Sequence, residues 1–144
     1  MITYILMQLK LPTLDDFCAF AAEFARRLRP GDVVALSGPV GAGKTTFAGA
    51  VVRALHGRDE SFSPSFTFRH RYDGDPPIEH IDFFRIEDPR DVVELGLDEA
   101  FDGRSIALVE WWRNVPDAIP PRRYEIEIDG AGEEPRSIVI RDAR

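Results

Sequence analysis

The hydrophobic pattern along the chain predicts several buried strands. Two short and almost continuous apolar runs, at residues 33–37 and 105–109, are typical of strands that are buried on both faces of a parallel sheet. Residues 124–128 and 137–141 alternate between apolar and polar positions on either side of a turn rich in Gly and Glu, which predicts an antiparallel hairpin. Further strands are predicted at residues 2–9, 65–72 and 78–84.

Helices are predicted between these strands from their start signals and apolar spacing. Thr13 is followed by Asp16 at the spacing of a capping box. Apolar side chains then recur at helical spacing, at Phe17, Phe20, Phe24 and Leu28. A second helix is predicted at residues 44–55 and a third at 88–101, with an interruption at Gly96. The pattern predicts the α/β class, with a mostly parallel sheet plus antiparallel strands.

Composition limits the architecture and the partners. The 144 residues, 44% hydrophobic and 30% charged, suit a single domain over residues 1–144. No apolar run approaches the roughly 20 residues of a membrane span, and the lone Cys18 offers no disulfide framework, so we expect a cytoplasmic protein. The net charge of -7 is poorly suited to holding a nucleic acid backbone. We therefore expect any contact with RNA to be indirect, through a partner.

The strongest chemical signal is GPVGAGKT at residues 38–45, which matches the phosphate-loop pattern G-x-x-x-x-G-K-[ST]. It lies between a predicted buried strand and a predicted helix, as this motif requires, and it predicts a three-layer fold like that of P-loop NTPases. Its glycines allow a tight turn whose N–H groups form an anion site. Lys44 would reach the phosphates of ATP, and the Thr45 hydroxyl would bind Mg²⁺. The predicted nucleotide-binding residues are Gly38, Pro39, Val40, Gly41, Ala42, Gly43, Lys44, Thr45 and Thr46.

Two carboxylates at predicted strand ends are candidates for the acids of such a site. Glu110 follows the apolar run at 105–109, and Asp82 ends the strand that starts at residue 78. Strand-end side chains of an α/β sheet point into the crevice where ligands bind, although either carboxylate could instead be a solvated strand end. Glu110 follows the cleaner buried run and is the better magnesium ligand, together with Thr45, and Asp82 would then position the attacking water. The predicted catalytic residues are Lys44, Asp82 and Glu110.

Two further segments leave alternatives open. The sequence SPSFTF at residues 63–68 is either a switch that senses the γ phosphate or a turn whose hydroxyls satisfy main-chain groups, and spacing favours the turn. Trp111 and Trp112 are adjacent, so on a strand they would face opposite sides. One would be a core residue and the other could stack on a base.

Five sequence blocks occur in an order that resembles one known family. They are GPVGAGKTTF, SPSFTF for S-P-T-F-T, HIDFFR for H-x-D-x-Y-R, ELGLDEAF, and EW at 110–111. On these blocks the chain is identified as a member of the TsaE family, formerly YjeE, and the resemblance covers residues 13 to about 128. These are the small ATPases of bacterial tRNA threonylcarbamoyladenosine synthesis.

The resemblance implies a role for each matching residue. Lys44 and Thr45 would bind phosphate and magnesium, and Glu110 would be the carboxylate associated with the metal. Asp82 would be the second acid near the γ phosphate, and Trp111 the aromatic residue that follows the glutamate and contacts the nucleotide. The family acts with TsaB and TsaD, and TsaD transfers the threonylcarbamoyl group to adenosine 37 of tRNAs that read codons beginning with A. ATP hydrolysis by the family member would support repeated turnover of that complex.

Two residues depart from the family pattern. Phe84 replaces a tyrosine, and Phe17 stands where many members have a threonine, so both positions lack the polar group of the family pattern.

Two other functions are alternatives. A small-molecule kinase on the same fold is the main one, although 144 residues leave little space for a lid and an acceptor pocket. A nucleotide-gated binding module that never hydrolyses ATP is the other, and the presence of both Asp82 and Glu110 argues against it.

Overall fold

A computed structural model describes residues 4–57 and 68–144 of the chain. These ranges contain seven strands and three α-helices, and three short 3₁₀ helices lie at Leu97–Ala100, Trp112–Asn114 and Pro116–Ala118. The strands are β1 (Tyr4–Leu11), β2 (Val33–Ser37), β3 (Arg69–Tyr72), β4 (Ile78–Asp82), β5 (Ile106–Glu110), β6 (Tyr124–Asp129) and β7 (Arg136–Asp142). The helices are α1 (Leu14–Ala25), α2 (Lys44–His56) and α3 (Pro89–Glu94).

The strands form one sheet in the order β1-β7-β6-β2-β5-β4-β3. The four central strands, β6, β2, β5 and β4, are parallel to one another. The pairs at the two edges are antiparallel, and they include the β6–β7 hairpin. The predicted α/β class, with parallel strands at the centre of the sheet and antiparallel strands added to it, is therefore confirmed.

The central strands are buried on both faces, which explains their continuous apolar runs. In β2, Val34 and Leu36 pack with α1 and α2, whereas Val33 and Ala35 pack on the opposite face with α3. The result is a three-layer arrangement, with the sheet between two helical layers. Within the described ranges, no helix is long and apolar enough to cross a membrane.

Several predicted boundaries change in the structure. The strand predicted at 65–72 is described only from Arg69, because residues 65–67 lie outside the described ranges and Phe68 has a left-handed φ of 62°. The strand predicted at 78–84 ends at Asp82. The predicted third helix is an α-helix of six residues, and the interruption at Gly96, with φ of 72°, is confirmed.

The N-cap at Thr13 and the aromatic face of α1 are also confirmed. Thr13 caps α1 and accepts a hydrogen bond from the Asp16 N–H at 3.1 Å. The ring centroids of Phe17, Phe20 and Phe24 lie 5.9, 6.5 and 6.0 Å from that of Phe47 on α2. Phe47 is completely buried and joins α1 to the helix that begins at the phosphate loop.

Replacement of Phe47 by Ala should lower the free energy of unfolding by about 4 kcal/mol, because it opens a cavity among three other rings. The matched control is Phe84→Ala, since Phe84 is 52% exposed. Its loss should cost less than about 1 kcal/mol. Urea denaturation of both variants measures the difference, and similar losses for the two would contradict this account of the α1–α2 interface.

Candidate functional site

The phosphate-loop sequence connects β2 to the N-terminus of α2, and two of its glycines are required by close contacts. A Cβ on Gly38 would lie 2.2 Å from the carbonyl oxygen of Ile128 on β6. Gly43, with φ of 113°, is the N-cap of α2, and a Cβ there would lie 3.1 Å from the ring of Phe17. These glycines therefore allow the loop to pack closely against β6 on one side and α1 on the other.

The side chain of Lys44 folds back over the loop and is 5% exposed. Its Nζ donates to the carbonyl oxygens of Gly38 at 2.6 Å and Pro39 at 2.9 Å. Burial lowers the pKa of the ammonium group, and the attraction of Glu110 and Asp82 opposes part of that shift. The structure thus holds a cation beside the loop, with two carboxylates near it.

Asp82 and Glu110 lie side by side, because their Cα atoms are partners in the parallel pairing of β4 with β5. Both residues are almost completely buried. The Thr45 hydroxyl lies 3.1 Å from each carboxylate oxygen of Glu110. One carboxylate oxygen of Asp82 accepts a hydrogen bond from the Phe84 N–H at 2.8 Å. Neither carboxylate is therefore a solvated strand end.

His80 belongs to the same cluster, although the sequence analysis did not assign it a role. Its Nε2 lies 2.5 Å from Glu110, and the residue is 1% exposed. Because a carboxylate can only accept, Nε2 carries the hydrogen of this bond. The available signal was the alternation in β4, where His80 and Asp82 occupy successive positions on the face opposite to Glu79 and Ile81.

The two tryptophans follow β5 and are not part of it. Trp111 has a left-handed φ of 58°, and its ring lies 4.4 Å from Lys44 Nζ and 5.0 Å from the ring of Phe84. Trp112 is buried, and the guanidinium of Arg123 stacks on its ring at 4.5 Å. Trp112 is therefore the core residue of the pair, and Trp111 lies beside Lys44.

Two cavities meet at the phosphate loop. The first has a volume of about 360 Å³ and is lined by Val40, Gly41, Gly43, Lys44, Thr45, Thr46, Asp82, Phe84, Glu110 and Trp111. The second, of about 480 Å³, lies between the loop, the start of α1 and the turn of the β6–β7 hairpin. Gly41, Gly43 and Thr46 line both cavities, so one elongated ligand could occupy the two.

Most of the predicted site residues surround the first cavity, but some do not. Ala42 lines only the second cavity, together with Phe17, whose apolar ring stands at the position of the family's threonine. Pro39 contributes its carbonyl to Lys44 and lines neither cavity. Residues 63–67, the predicted switch, lie outside the described ranges.

The oxygen groups at this site fit a magnesium ion that completes its coordination from elsewhere. No three His, Cys, Asp or Glu side chains of the described residues gather closely enough to hold a metal. Thr45 and Glu110 provide hard oxygen donors at one point, and Mg²⁺ usually takes only one or two protein ligands together with water and phosphate oxygens. The pair is therefore compatible with Mg²⁺ bound alongside a nucleotide.

The contact between His80 and Glu110 should stabilise the folded protein. His80→Ala should lower the free energy of unfolding by about 2 kcal/mol, because it leaves a buried carboxylate with one partner fewer. In a Glu110→Ala background the same change should cost about 1 kcal/mol less. A double-mutant cycle measured by urea denaturation checks this coupling, and additive losses would show that the two side chains do not interact.

Comparisons with known proteins show which family this chain belongs to. The family described as threonylcarbamoyl adenosine biosynthesis protein TsaE matches residues 11–138. The chain is 39% identical over 136 residues to the tRNA threonylcarbamoyladenosine biosynthesis protein TsaE of Bacillus subtilis, which covers 92% of this chain and 85% of the relative. It is 35% identical over 111 residues to the protein of the same name from Rickettsia prowazekii, with 76% of each chain covered.

A solved structure shares the fold. The crystal structure of YdiB from Bacillus subtilis superposes with a TM-score of 0.78 at 34% sequence identity, and covers 98% of this chain and 89% of that one. Family match, sequence identity and fold agree over nearly the whole chain. The protein described here belongs to the TsaE family of threonylcarbamoyl adenosine biosynthesis proteins.

Proposed function

We propose that this chain binds and hydrolyses ATP in support of tRNA threonylcarbamoyladenosine biosynthesis. Family membership supports the pathway, since the relatives are named for it. One observation carries the ATPase activity: Lys44, Thr45, Asp82 and Glu110 converge on one cavity at the phosphate loop. A kinase on the same fold has no comparable support.

Phosphate binding would rest on the loop and on Lys44. The N-terminus of α2 offers main-chain N–H groups and the positive end of the helix dipole to an anion. Lys44 is already held over the loop by the carbonyls of Gly38 and Pro39, so little side-chain entropy remains to be lost when phosphate binds. Trp111 covers the ammonium from the other side and would shield its attraction to phosphate from water.

The carboxylates of Glu110 and Asp82 would have different roles in hydrolysis. Thr45 and Glu110 would hold Mg²⁺, which neutralises charge on the β and γ phosphates when it is bound. Asp82 would orient the attacking water. The oxygen of this water forms a bond to the γ phosphorus, while the bond between the γ phosphorus and the oxygen that bridges it to the β phosphate breaks. The Phe84 N–H fixes one oxygen of Asp82, so the carboxylate has a defined orientation. The products are ADP and inorganic phosphate.

The nucleoside would occupy the second cavity. Its volume of about 480 Å³ is in the range of small-ligand sites, and the residues it shares with the first cavity let a nucleotide extend across the loop. The ring of Phe17 forms an apolar wall of this second cavity, whereas a threonine at the same position would form a polar wall. The preference for adenine is taken from the family resemblance.

The partners would be TsaB and TsaD, and tRNA would be contacted through their complex. The net charge of -7 argues against direct binding of an RNA backbone, and we expect the protein to act in the cytoplasm. A first cavity open to solvent beside Phe84 would be completed by a partner that docks over it. Such completion can raise slow P-loop hydrolysis roughly 10³-fold.

Steady-state ATP hydrolysis by the chain alone and with TsaB and TsaD tests the proposed function. We expect slow hydrolysis that the partners accelerate, and Lys44→Ala should abolish ATP binding, because its ammonium is the cationic group in the lining of the first cavity. Lys10→Ala is the matched control, since Lys10 on β1 is the only other lysine in the sequence. Equal rates with and without the partners would contradict partner completion, and wild-type ATP affinity in Lys44→Ala would contradict the assigned site.

The division of roles between the carboxylates gives a separate prediction. Glu110→Gln should retain nucleotide binding but lose magnesium-dependent hydrolysis, because it removes one charge beside the ion at nearly constant shape. Asp82→Asn should lower kcat while the Mg²⁺ concentration for half-maximal activity stays close to that of the wild type. Magnesium titrations of both variants measure the two effects, and the opposite pattern would reverse the assignment.

A further inference from the structure

Arg136, the first residue of β7, contacts the phosphate loop from the β6–β7 hairpin. Its Nε donates to the carbonyl of Ala42 at 2.8 Å, and its Nη2 lies 3.4 Å from the carbonyl of Gly41. On the other side, the same guanidinium donates to the carbonyls of Gly132 and Glu134 in the hairpin turn. One side chain therefore connects two segments that are distant in sequence.

These contacts are unusual for an arginine because they involve only main-chain carbonyls. Within residues 4–57 and 68–144, the Arg136 guanidinium makes no ion pair with a carboxylate, whereas Arg141 on the same strand pairs with Glu127 at 3.0 Å. The rigid, planar group of five donors reaches four carbonyls in two segments, whereas the compact ammonium of a lysine has only three donors. The arrangement therefore depends on the geometry of the group as well as on its charge.

The backbone of the hairpin turn leaves space for the Arg136 side chain. Gly130 has φ of 122°, and a Cβ there would lie 3.0 Å from Cδ of Arg136 and 2.6 Å from the carbonyl oxygen of Pro135. The absence of a side chain at Gly130 leaves the path of Arg136 to the loop open.

The bond to Ala42 fixes the orientation of one peptide of the phosphate loop. A trans peptide carries its C=O and its N–H on opposite sides, and the carbonyl of Ala42 shares a peptide with the N–H of Gly43. Holding that carbonyl toward the hairpin directs the Gly43 N–H away from it, and no carbonyl of the described residues accepts from this N–H. An inward-pointing N–H at this position is what an anion site at a helix N-terminus needs.

We infer that Arg136 is a positioning residue for phosphate binding, which holds the loop peptides in the orientation that receives the phosphates. The inference rests on the proposed nucleotide site and adds a residue outside the motif to it. The inference predicts that the planar geometry of the Arg136 guanidinium, and not its charge alone, sets the affinity for phosphate-bearing ligands.

The variants Arg136→Met and Arg136→Lys test the inference, with Arg141→Met as the control on the same strand. Titration calorimetry with ATP and with inorganic pyrophosphate should show roughly tenfold weaker binding or more for both Arg136 variants, since charge-assisted hydrogen bonds are lost. KM for ATP should rise while kcat changes little, because the loop is displaced in both ground and transition states. Arg141→Met should bind as the wild type does.

A second measurement needs no nucleotide. Backbone ¹⁵N relaxation should show lower order parameters at Gly41, Ala42 and Gly43 in both Arg136 variants and unchanged values in Arg141→Met. Wild-type ATP affinity in Arg136→Lys would show that the planar geometry of the guanidinium is not required. Wild-type order parameters in the phosphate loop of Arg136→Met would overturn the inference altogether. A wild-type protein that binds no ATP would instead refute the proposed function, while the relaxation data would still decide whether Arg136 orders the loop.

Discussion

Two carboxylates lie side by side in this sheet, almost removed from water, and the rest of the site depends on how their charge is balanced. The pairing of β4 with β5 places Asp82 next to Glu110. Adjacent buried anions are costly unless cations or hydrogen-bond donors surround them. Here the ammonium of Lys44 lies nearby, and Thr45 and His80 donate to Glu110. The start of α2 must therefore lie at the ends of these strands, and the glycines of the loop make that approach possible.

The sequence predicted the parts of the site that depend on local geometry. The glycines, Lys44 and Thr45 are close in the chain, and their spacing already specifies a turn at a helix start. Glu110 and Asp82 were found because a polar residue at the end of an apolar run has few explanations. Their mutual register could not be predicted, since it depends on strand pairing that single-sequence patterns do not encode.

Other residues were missed or left undecided for physical reasons. His80 lies inside a buried strand, and a buried histidine is a hydrogen-bonded core residue as readily as a site residue until its partner is known. The tryptophans were undecided because the left-handed backbone of Trp111 ends the strand, and this conformation is rare enough for a large side chain that no pattern predicts it. Arg136 is 94 positions from Ala42 along the chain, and their contact follows from the sheet order that places β7 beside β6. Phe17 shows the converse, where an apparent loss of a polar contact becomes an aromatic contact with Gly43.

The pairing of β1 with β7 joins the first described strand to the last, with Tyr4 opposite Asp142 and Leu11 opposite Arg136. Contacts so distant along a chain form late, because a long loop must be closed before the contact provides any stabilisation. During synthesis on the ribosome, β1 therefore lacks its partner until β7 has emerged. Arg136 reaches the phosphate loop from the same late strand. The edge of the sheet at β1 and the contact between the hairpin and the phosphate loop therefore both depend on β7 and form only after it.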